Sequence, residues 1–420
     1  MGYILMMQLN SNSKFHNKRI LCVTSNYPRW QGDSTTPFVH HLAQDLITLG
    51  WDIDILAPHA PMAAMHEALD GISIERFRYL WPECLETVCY QGGALMNLKQ
   101  NKFNYLKLPA LVFFEWLAII KRLKDGKYDL LHSHWILPQG FTGVLATMPL
   151  KVPHIITVHG SDAFALKGKI LGHFKHFSLT NADAVTVNGS ATKRQVLSIA
   201  PELTNLRLIP IGISETQSDL KRTDKLRLQF KDTQGPLLIF VGRLISLKGI
   251  DDLIHAVALI SKRYEGTRLI ILGEGPLRNN LEKLTKSLGV EKLVKFIGWV
   301  EPSDVSNYLS AADIFIGPSK KSSDGSTEAQ GLTFLEAMQA GTAVIATNAG
   351  GIVDAVQHEK TGLLVAECSP ISIAKSVIRL TEDKQLKSSL EKQAKLAAKR
   401  FSRSASASEF ARLFEQTLMK

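Results

Sequence analysis

Cysteine is scarce in this chain of 420 residues: Cys22, Cys84, Cys89 and Cys368 are the whole supply. They are too few and too scattered for a disulfide framework or a C-x-x-C zinc site, so reduced thiols and a cytoplasmic address are expected. Long apolar runs are also missing. No stretch reaches the roughly 18 uncharged apolar residues that a spanning helix needs. The short patch Tyr3–Met7 has no basic residues before it, so no signal peptide is read there. Basic runs never exceed two residues, as at Lys18-Arg19 and Lys320-Lys321, which speaks against nucleic acid. The excess of 49 Lys and Arg over 39 Asp and Glu suits a phosphate-bearing small molecule or an anionic membrane surface instead. Motif absences narrow the chemistry further. There is no G-x-x-x-x-G-K-[ST] phosphate loop, no G-x-G-x-x-G opening either half, and no G-x-S-x-G elbow. P-loop, nicotinamide and serine-hydrolase chemistries are thereby disfavoured.

What is present is an alternation of short apolar runs with amphipathic stretches. Arg19–Ser25, Asp52–Ala57, Tyr128–His132, His154–Val158 and Ala182–Val187 read as strands. Between the first two, Pro37–Leu49 places Phe38, Leu42, Leu46 and Leu49 on one helical face, and Gly50 stops the helix. After a polar stretch, Ser214–Gln234, the pattern restarts. Pro236–Val241, Arg268–Leu272, Val294–Ile297, Asp313–Ile316, Ala343–Ala346 and Gly362–Val365 read as strands, with helices such as Ile250–Tyr264 between them. Strand–helix–strand alternation implies parallel sheets covered on both faces. The fold class expected is therefore α/β, with two doubly wound, Rossmann-like domains facing a cleft. The expected organisation is an N-terminal extension (1–18), a first domain (19–213), a linker (214–234), a second domain (235–400) and a C-terminal helix (401–420) that can pack back on the first.

Two constellations in the second half carry chemistry. In the first, Gly242-Arg243 follows a strand and Lys248-Gly249 precedes a helix starting near Ile250. A fork-shaped guanidinium and a point-charge ammonium beside free helix N–H groups suit a diphosphate; two solvated surface cations are the bland alternative. In the second, Asp324 to Met338, Glu328 falls in a loop after a strand and Glu336 about one turn inside the following helix. The two carboxylates cannot share a helical face, so they serve different parts of one extended ligand, accepting from paired sugar hydroxyls. The amides of Leu332 and Thr333 are placed to meet phosphate at the helix start. The bland alternative is a helix with an acidic first turn and a surface glutamate.

Taken in order, G-R-x(4)-K-G at Gly242–Gly249, Gly273-Glu-Gly-Pro276-Leu-Arg278, the E-x(7)-E pair Glu328 and Glu336, and Ala340–Thr347 resemble a family 4 retaining glycosyltransferase of the two-domain GT-B type. The first half agrees through Tyr27–Asp33, Phe38–Ala43, His132-Ser-His134-Trp135 and Thr157-Val-His159-Gly-Ser-Asp162. The resemblance implies roles for particular residues. Arg243 and Lys248 hold the donor diphosphate, Glu336 its ribose, and Glu328 lies beside the transferred sugar. His159 contacts that sugar near the acceptor, the backbone at Gly32 approaches the diphosphate, and His134 and Asp162 sit on acceptor-side loops. A UDP- or GDP-sugar donor, a carbohydrate or lipid-linked acceptor, and no cofactor are implied. With two cations for the leaving group a metal is unnecessary, and no D-x-D stands at a strand end to hold one. Several positions depart from the family pattern: a single Gly32 in the first loop, Ala329 after the first glutamate, Ile211 before Gly212, and Ala343 before the next strand.

Other assignments compete with this one. Zinc on His132, His134 and His159 is disfavoured because no cysteine or carboxylate pair completes the set at ligand spacing. A non-catalytic sugar-nucleotide-binding protein, or an epimerase or phosphorylase on the same fold, would keep the donor residues without the transfer. Finally, Asn97–Lys127 interleaves lysines with Leu, Phe and Trp. It reads either as a core helix or as a basic amphipathic face for an anionic bilayer, at which the enzyme would be peripheral.

Overall fold

A computed structural model describes residues 18–33, 35, 37–90, 93–125, 127–232, 234–322 and 325–420. The expected extension, apart from Lys18, and Asp324 lie outside the described residues. The chain forms two compact units: residues up to Asn188 with Gln195–Gly212 and Arg403–Lys420, and Gly189–Arg194 with Ile213–Ser402.

The first unit is built on an eight-stranded sheet: β1 (Arg19–Val23), β2 (Asp52–Pro58), β3 (His66–Leu69), β4 (Ile72–Phe77), β5 (Leu130–His134), β6 (His154–Val158), β7 (Ala184–Val187) and β8 (Leu206–Leu208), in the order β3-β4-β2-β1-β5-β6-β7-β8. All neighbours are parallel except the β3–β4 pair. The register of the two central strands sets Cys22 of β1 opposite His132 of β5. Helices α1 (Pro37–Thr48), α2 (Leu108–Lys124) and α3 (Phe141–Leu150) belong to this unit. The inward face of α1 is Val39, His40, Ala43 and Leu46, whereas Leu49 is 40% exposed. The helix is thus turned by one residue from the apolar stripe. The cause is polar: His40 is drawn inside between Tyr27 Oη (2.7 Å to Nδ1) and Asp70 Oδ2 (2.9 Å from Nε2).

The Asn97–Lys127 stretch is not one helix. Asn101 ends the short helix Ala94–Gln100, and its side chain accepts from Phe103 N to start a 3-10 turn, Lys102–Lys107, before α2. Helix α2 buries Leu111, Glu115, Ile119 and Leu123. The C-terminal helix, Arg403–Leu418, completes this unit's core. Phe414 meets Trp51 edge-on with ring centroids 5.4 Å apart, and Arg403 binds Asp45 at 2.7 Å.

The second unit carries a parallel six-stranded sheet: β9 (Leu237–Val241), β10 (Arg268–Leu272), β11 (Val294–Gly298), β12 (Ile314–Gly317), β13 (Ala343–Thr347) and β14 (Leu363–Val365), ordered β11-β10-β9-β12-β13-β14. Its helices include α4 (Leu220–Phe230), α5 (Ile250–Ile260), α6 (Leu332–Ala340) and α7 (Lys384–Ala398). Helix α4 corrects the expected 214–234 linker: half of that stretch is part of the folded unit. Asp219 caps it by accepting from Arg222 N, Leu226 is 1% exposed, and Arg222 binds Asp304 at 2.7 Å. A single inward stripe on an otherwise charged helix leaves little apolar signal in the sequence.

Candidate active site

At the carboxyl edge of the second sheet, two glycine turns are zipped together. Gly242 N donates to Leu272 O (3.0 Å), Leu244 N to Glu274 O (2.9 Å) and Leu277 N to Leu244 O (3.1 Å). The approach leaves no room for side chains: a Cβ on Gly273 would lie 2.1 Å from Gly242 O, and one on Gly275 would lie 2.5 Å from Leu244 O. The G-R-x(4)-K-G and G-E-G-P motifs therefore share one physical cause, close contact of their backbones. Arg243 is exposed on this fixed loop and Lys248 is half-buried at its end.

Lys248 Nζ lies 2.5 Å from Glu328 Oε2, with the side chains 18% and 14% exposed. Ser319 Oγ donates to the same oxygen at 3.4 Å. The carbonyl of Glu328 accepts from Gly351 N (2.9 Å), and Cβ atoms on Gly350 and Gly351 would fall 2.2 Å from Glu328 O and 1.9 Å from Ala329 O. Glu328 is thus located from the backbone as well as by its ion pair. Its Cγ packs 3.5 Å from the Cβ position of Gly331. Gly331, at φ 79°, is the N-cap of α6 and brings no capping side chain to the helix that Leu332 and Thr333 open. Glu336 follows one turn later. Among the described residues its carboxyl has no partner, and burial pushes its pKa up to about 7. A helix end lacking a side-chain cap, a cation and an unpartnered carboxyl have the chemistry to take up an anion joined to a polyol.

The start of α5 does not share this character, which corrects the expectation of an anion site near Ile250. Asp251 and Asp252 occupy its first turn and both hold Lys320 Nζ, at 2.8 and 3.0 Å. The helix supplies its own carboxylates, and the Asp-Asp pair in the sequence already signalled this.

In the first unit, β5 and β6 end on His134 and, one residue past the strand, His159. Their rings stack at 5.1 Å with 13° between planes, and His134 Nδ1 lies 2.9 Å from His159 Nε2. Burial and the neighbouring His132 hold the pKa of His159 down to about 3, so the ring is neutral at pH 7. Its Nδ1 is buried without a hydrogen bond among the described residues. Asp162 is 4% exposed and accepts from Ile136 N (2.8 Å) and His159 N (3.2 Å). It is a brace for the two loops and presents no free carboxylate. Gly32 sits on an exposed turn at φ 84°, closed by the Arg29–Asp33 pair at 2.7 Å, with open space around its Cβ position.

Sequence reasoning missed Ser319, which lacks any motif, and Cys22. The ligating atoms of Cys22, His132 and His134 all lie within 4.8 Å of one another. The cysteine needed to complete a histidine cluster therefore exists, 110 residues upstream of its strand partner, where linear ligand spacing cannot reveal it.

Two family models match the chain: the glycosyl transferase 4-like domain over residues 35–212 and glycosyl transferases group 1 over 221–397. An uncharacterised glycosyltransferase of Methanocaldococcus jannaschii is 26% identical over 380 residues, covering 87% of this chain and 89% of its own. A GDP-mannose-dependent alpha-(1-6)-phosphatidylinositol monomannoside mannosyltransferase of Mycobacterium tuberculosis is 34% identical over 205 residues, 48% of this chain and 53% of its own. Anabaena HepE, solved in complex with UDP, superposes with a TM-score of 0.72 at 18% identity, covering 95% of this chain and 100% of that one. With two parallel-sheet α/β units, each matched by its own family model, this chain is a family 4 glycosyltransferase of the GT-B fold.

Proposed function

We propose that the protein moves a sugar from a UDP- or GDP-sugar to a carbohydrate or lipid-linked acceptor, with retention at the anomeric carbon and without a metal. The observation that carries this is the Lys248–Glu328 pair at the open start of α6, with the unpartnered Glu336 one turn further on. Lys248, Arg243 and the α6 amides of Leu332 and Thr333 grip the diphosphate. Glu336 accepts from the ribose hydroxyls. As the bond from anomeric carbon to phosphate oxygen lengthens, charge builds on the diphosphate, and fixed cations stabilise it more then than before. The acceptor oxygen bonds to the same face that the diphosphate leaves, and its proton passes to a departing phosphate oxygen. Glu328 steadies the positive sugar, and neutral His159 uses Nδ1 to orient a sugar hydroxyl. His134 and Asp162 hold that imidazole in place.

A thermal-shift panel of sugar nucleotides tests this, because a ligand of the folded state raises the melting temperature. UDP- or GDP-sugars should stabilise the protein, and Lys248→Ala and Arg243→Ala should lose the shift. An unchanged shift in Lys248→Ala would overturn the donor site.

A lipid-linked acceptor is favoured by one surface. Phe103 (74%), Leu106 (78%), Phe113 (51%) and Phe114 (42%) are exposed among Lys99, Lys102, Lys121 and Lys124, before and along α2. Apolar side chains ringed by lysines suit an anionic bilayer. A cytoplasmic enzyme docked on the inner membrane face would meet its acceptor there. The name of the M. tuberculosis relative, which specifies a phosphatidylinositol monomannoside, supports the same class. Co-flotation with phosphatidylglycerol vesicles at low salt should be lost in a Phe103→Ser/Leu106→Ser variant. Equal flotation of parent and variant would remove the surface from consideration.

A further inference from the structure

We propose that Cys22, His132 and His134 form a binding site for a thiophilic d10 cation of the zinc type, and that its occupancy fixes the tautomer of His159. Register brings the ligands together. Cys22 and His132 are direct partners on β1 and β5, and His134, two residues on, projects from the same face. One cysteine and two imidazoles thus converge, their ligating atoms within 4.8 Å of one another. Zn–S and Zn–N bonds of about 2.3 and 2.0 Å place tetrahedral ligands roughly 3.5 Å apart, so modest side-chain rotation closes the set.

The rings are also held from behind. His132 Nε2 bonds Thr157 Oγ1 at 2.7 Å, and Thr157 is itself bonded to Thr186 Oγ1 at 2.7 Å. His134 Nδ1 bonds His159 Nε2. The ring nitrogens outside these bonds are Nδ1 of His132 and Nε2 of His134. Metal-ligating imidazoles are oriented in this way, one nitrogen on the ion and the other on a protein acceptor. The cluster borders a small pocket whose other walls are apolar side chains of β1, β2 and α1, among them Val39, Leu42 and Leu46. Binding breaks the Cys22 S–H bond, forms an S–metal bond and releases the proton to solvent.

Counting protons connects the cluster to His159. A neutral His134 with its Nε2 on an ion carries its proton on Nδ1 and donates it to His159 Nε2. Neutral His159 must then be protonated on Nδ1, the nitrogen that has no hydrogen-bond partner among the described residues. An ion at the cluster therefore makes that atom a donor, whereas the empty cluster allows either tautomer pair. Only the link from Nδ1 to catalysis rests on the proposed function; the metal site does not.

The test uses the full chain with the exposed Cys84 and Cys368 changed to serine. Titration with Co2+ should give a thiolate-to-cobalt charge-transfer band saturating at one equivalent, and Zn2+ should displace it with release of one proton. Cys22→Ala in that background should bind roughly 100-fold more weakly or not at all, while melting within a few degrees of its parent. In 15N-histidine spectra of the Zn2+-loaded protein, His159 should be protonated on Nδ1. Absence of the band in the parent, or equal affinity in a folded Cys22→Ala variant, overturns the site. A loaded protein with His159 protonated on Nε2 overturns the tautomer link. Failure of the donor thermal shift alone would leave these binding results standing.

Discussion

Lys248 and Glu328 neutralise one another across 2.5 Å, so under the proposed function the donor-free protein already holds its phosphate cation beside its sugar carboxylate. On that proposal, a diphosphate arriving at Lys248 would take over that charge and free Glu328 for the sugar. Lys248→Ala should therefore lower kcat/KM by on the order of 100-fold, close to the loss of one transition-state contact, as initial rates at subsaturating donor would measure. Glu336 behaves differently because it has no partner to lose. Its folded pKa, about 7, exceeds the ordinary glutamate value of 4.5, so between these values the folded chain holds more protons than the unfolded one. Its contribution to stability is therefore fully present at low pH and fades as pH rises from about 4.5 to about 7. Melts of donor-free protein at pH 5 and pH 8 should show Glu336→Gln losing less stability than the parent over that interval. If the proposed ribose hydroxyls donate to the carboxylate they pull its pKa back down, so donor binding would release a proton. Donor affinity, measured by calorimetry, should climb as pH rises through about 7 in the parent and stay flat in Glu336→Gln.

The loop bearing Glu328 is shaped by neighbours that have no side chains. A Cβ on Gly351 would sit 1.9 Å from Ala329 O, so Gly351→Ala must displace the loop. A shift near 1 Å can cost on the order of 100-fold in turnover, and kcat should fall by about that much in a protein that still folds. Gly341 is the contrast. It closes α6 at φ 78° with only Lys395 Cδ at 4.0 Å. Gly341→Ala should lower stability by about 1 kcal/mol, the cost of a left-handed alanine, with kcat unchanged. Local and distant causes also divide what the sequence reveals from what it hides. Strands β1, β2, β5, β6, β9, β10, β12 and β13 are mostly buried runs whose composition is local information. Glycines and charges at fixed intervals announced the donor-side motifs for the same reason. Illegible were features set by distant partners: the inward turn of α1 around His40, helix α4 hidden in charged sequence, and the meeting of Cys22 with His132. Those depend on which strands become neighbours, and no window of adjacent residues contains that.

At the scale of the molecule, the last helix decides the stability of the first unit. Phe414 is fully buried beside Trp51, in one cluster with Phe410 and Leu413. Phe414→Ala should cost about 3–5 kcal/mol by opening a cavity, seen as a lower melting temperature. Arg403→Ala, which leaves Asp45 without its guanidinium, should cost less because that pair is partly exposed.

That arrangement also constrains how the chain is made. Sheet strands β1 to β8 are made before Ile213, yet the helix that completes their core is encoded at Arg403–Leu418. Throughout translation of the second unit, the nascent first unit lacks the Phe410 and Phe414 rings that pack on Trp51 and His132. Chaperone occupancy during synthesis should therefore fall only after Leu418 has emerged, and a ribosome stalled near residue 402 should hold a first unit that proteases still cut.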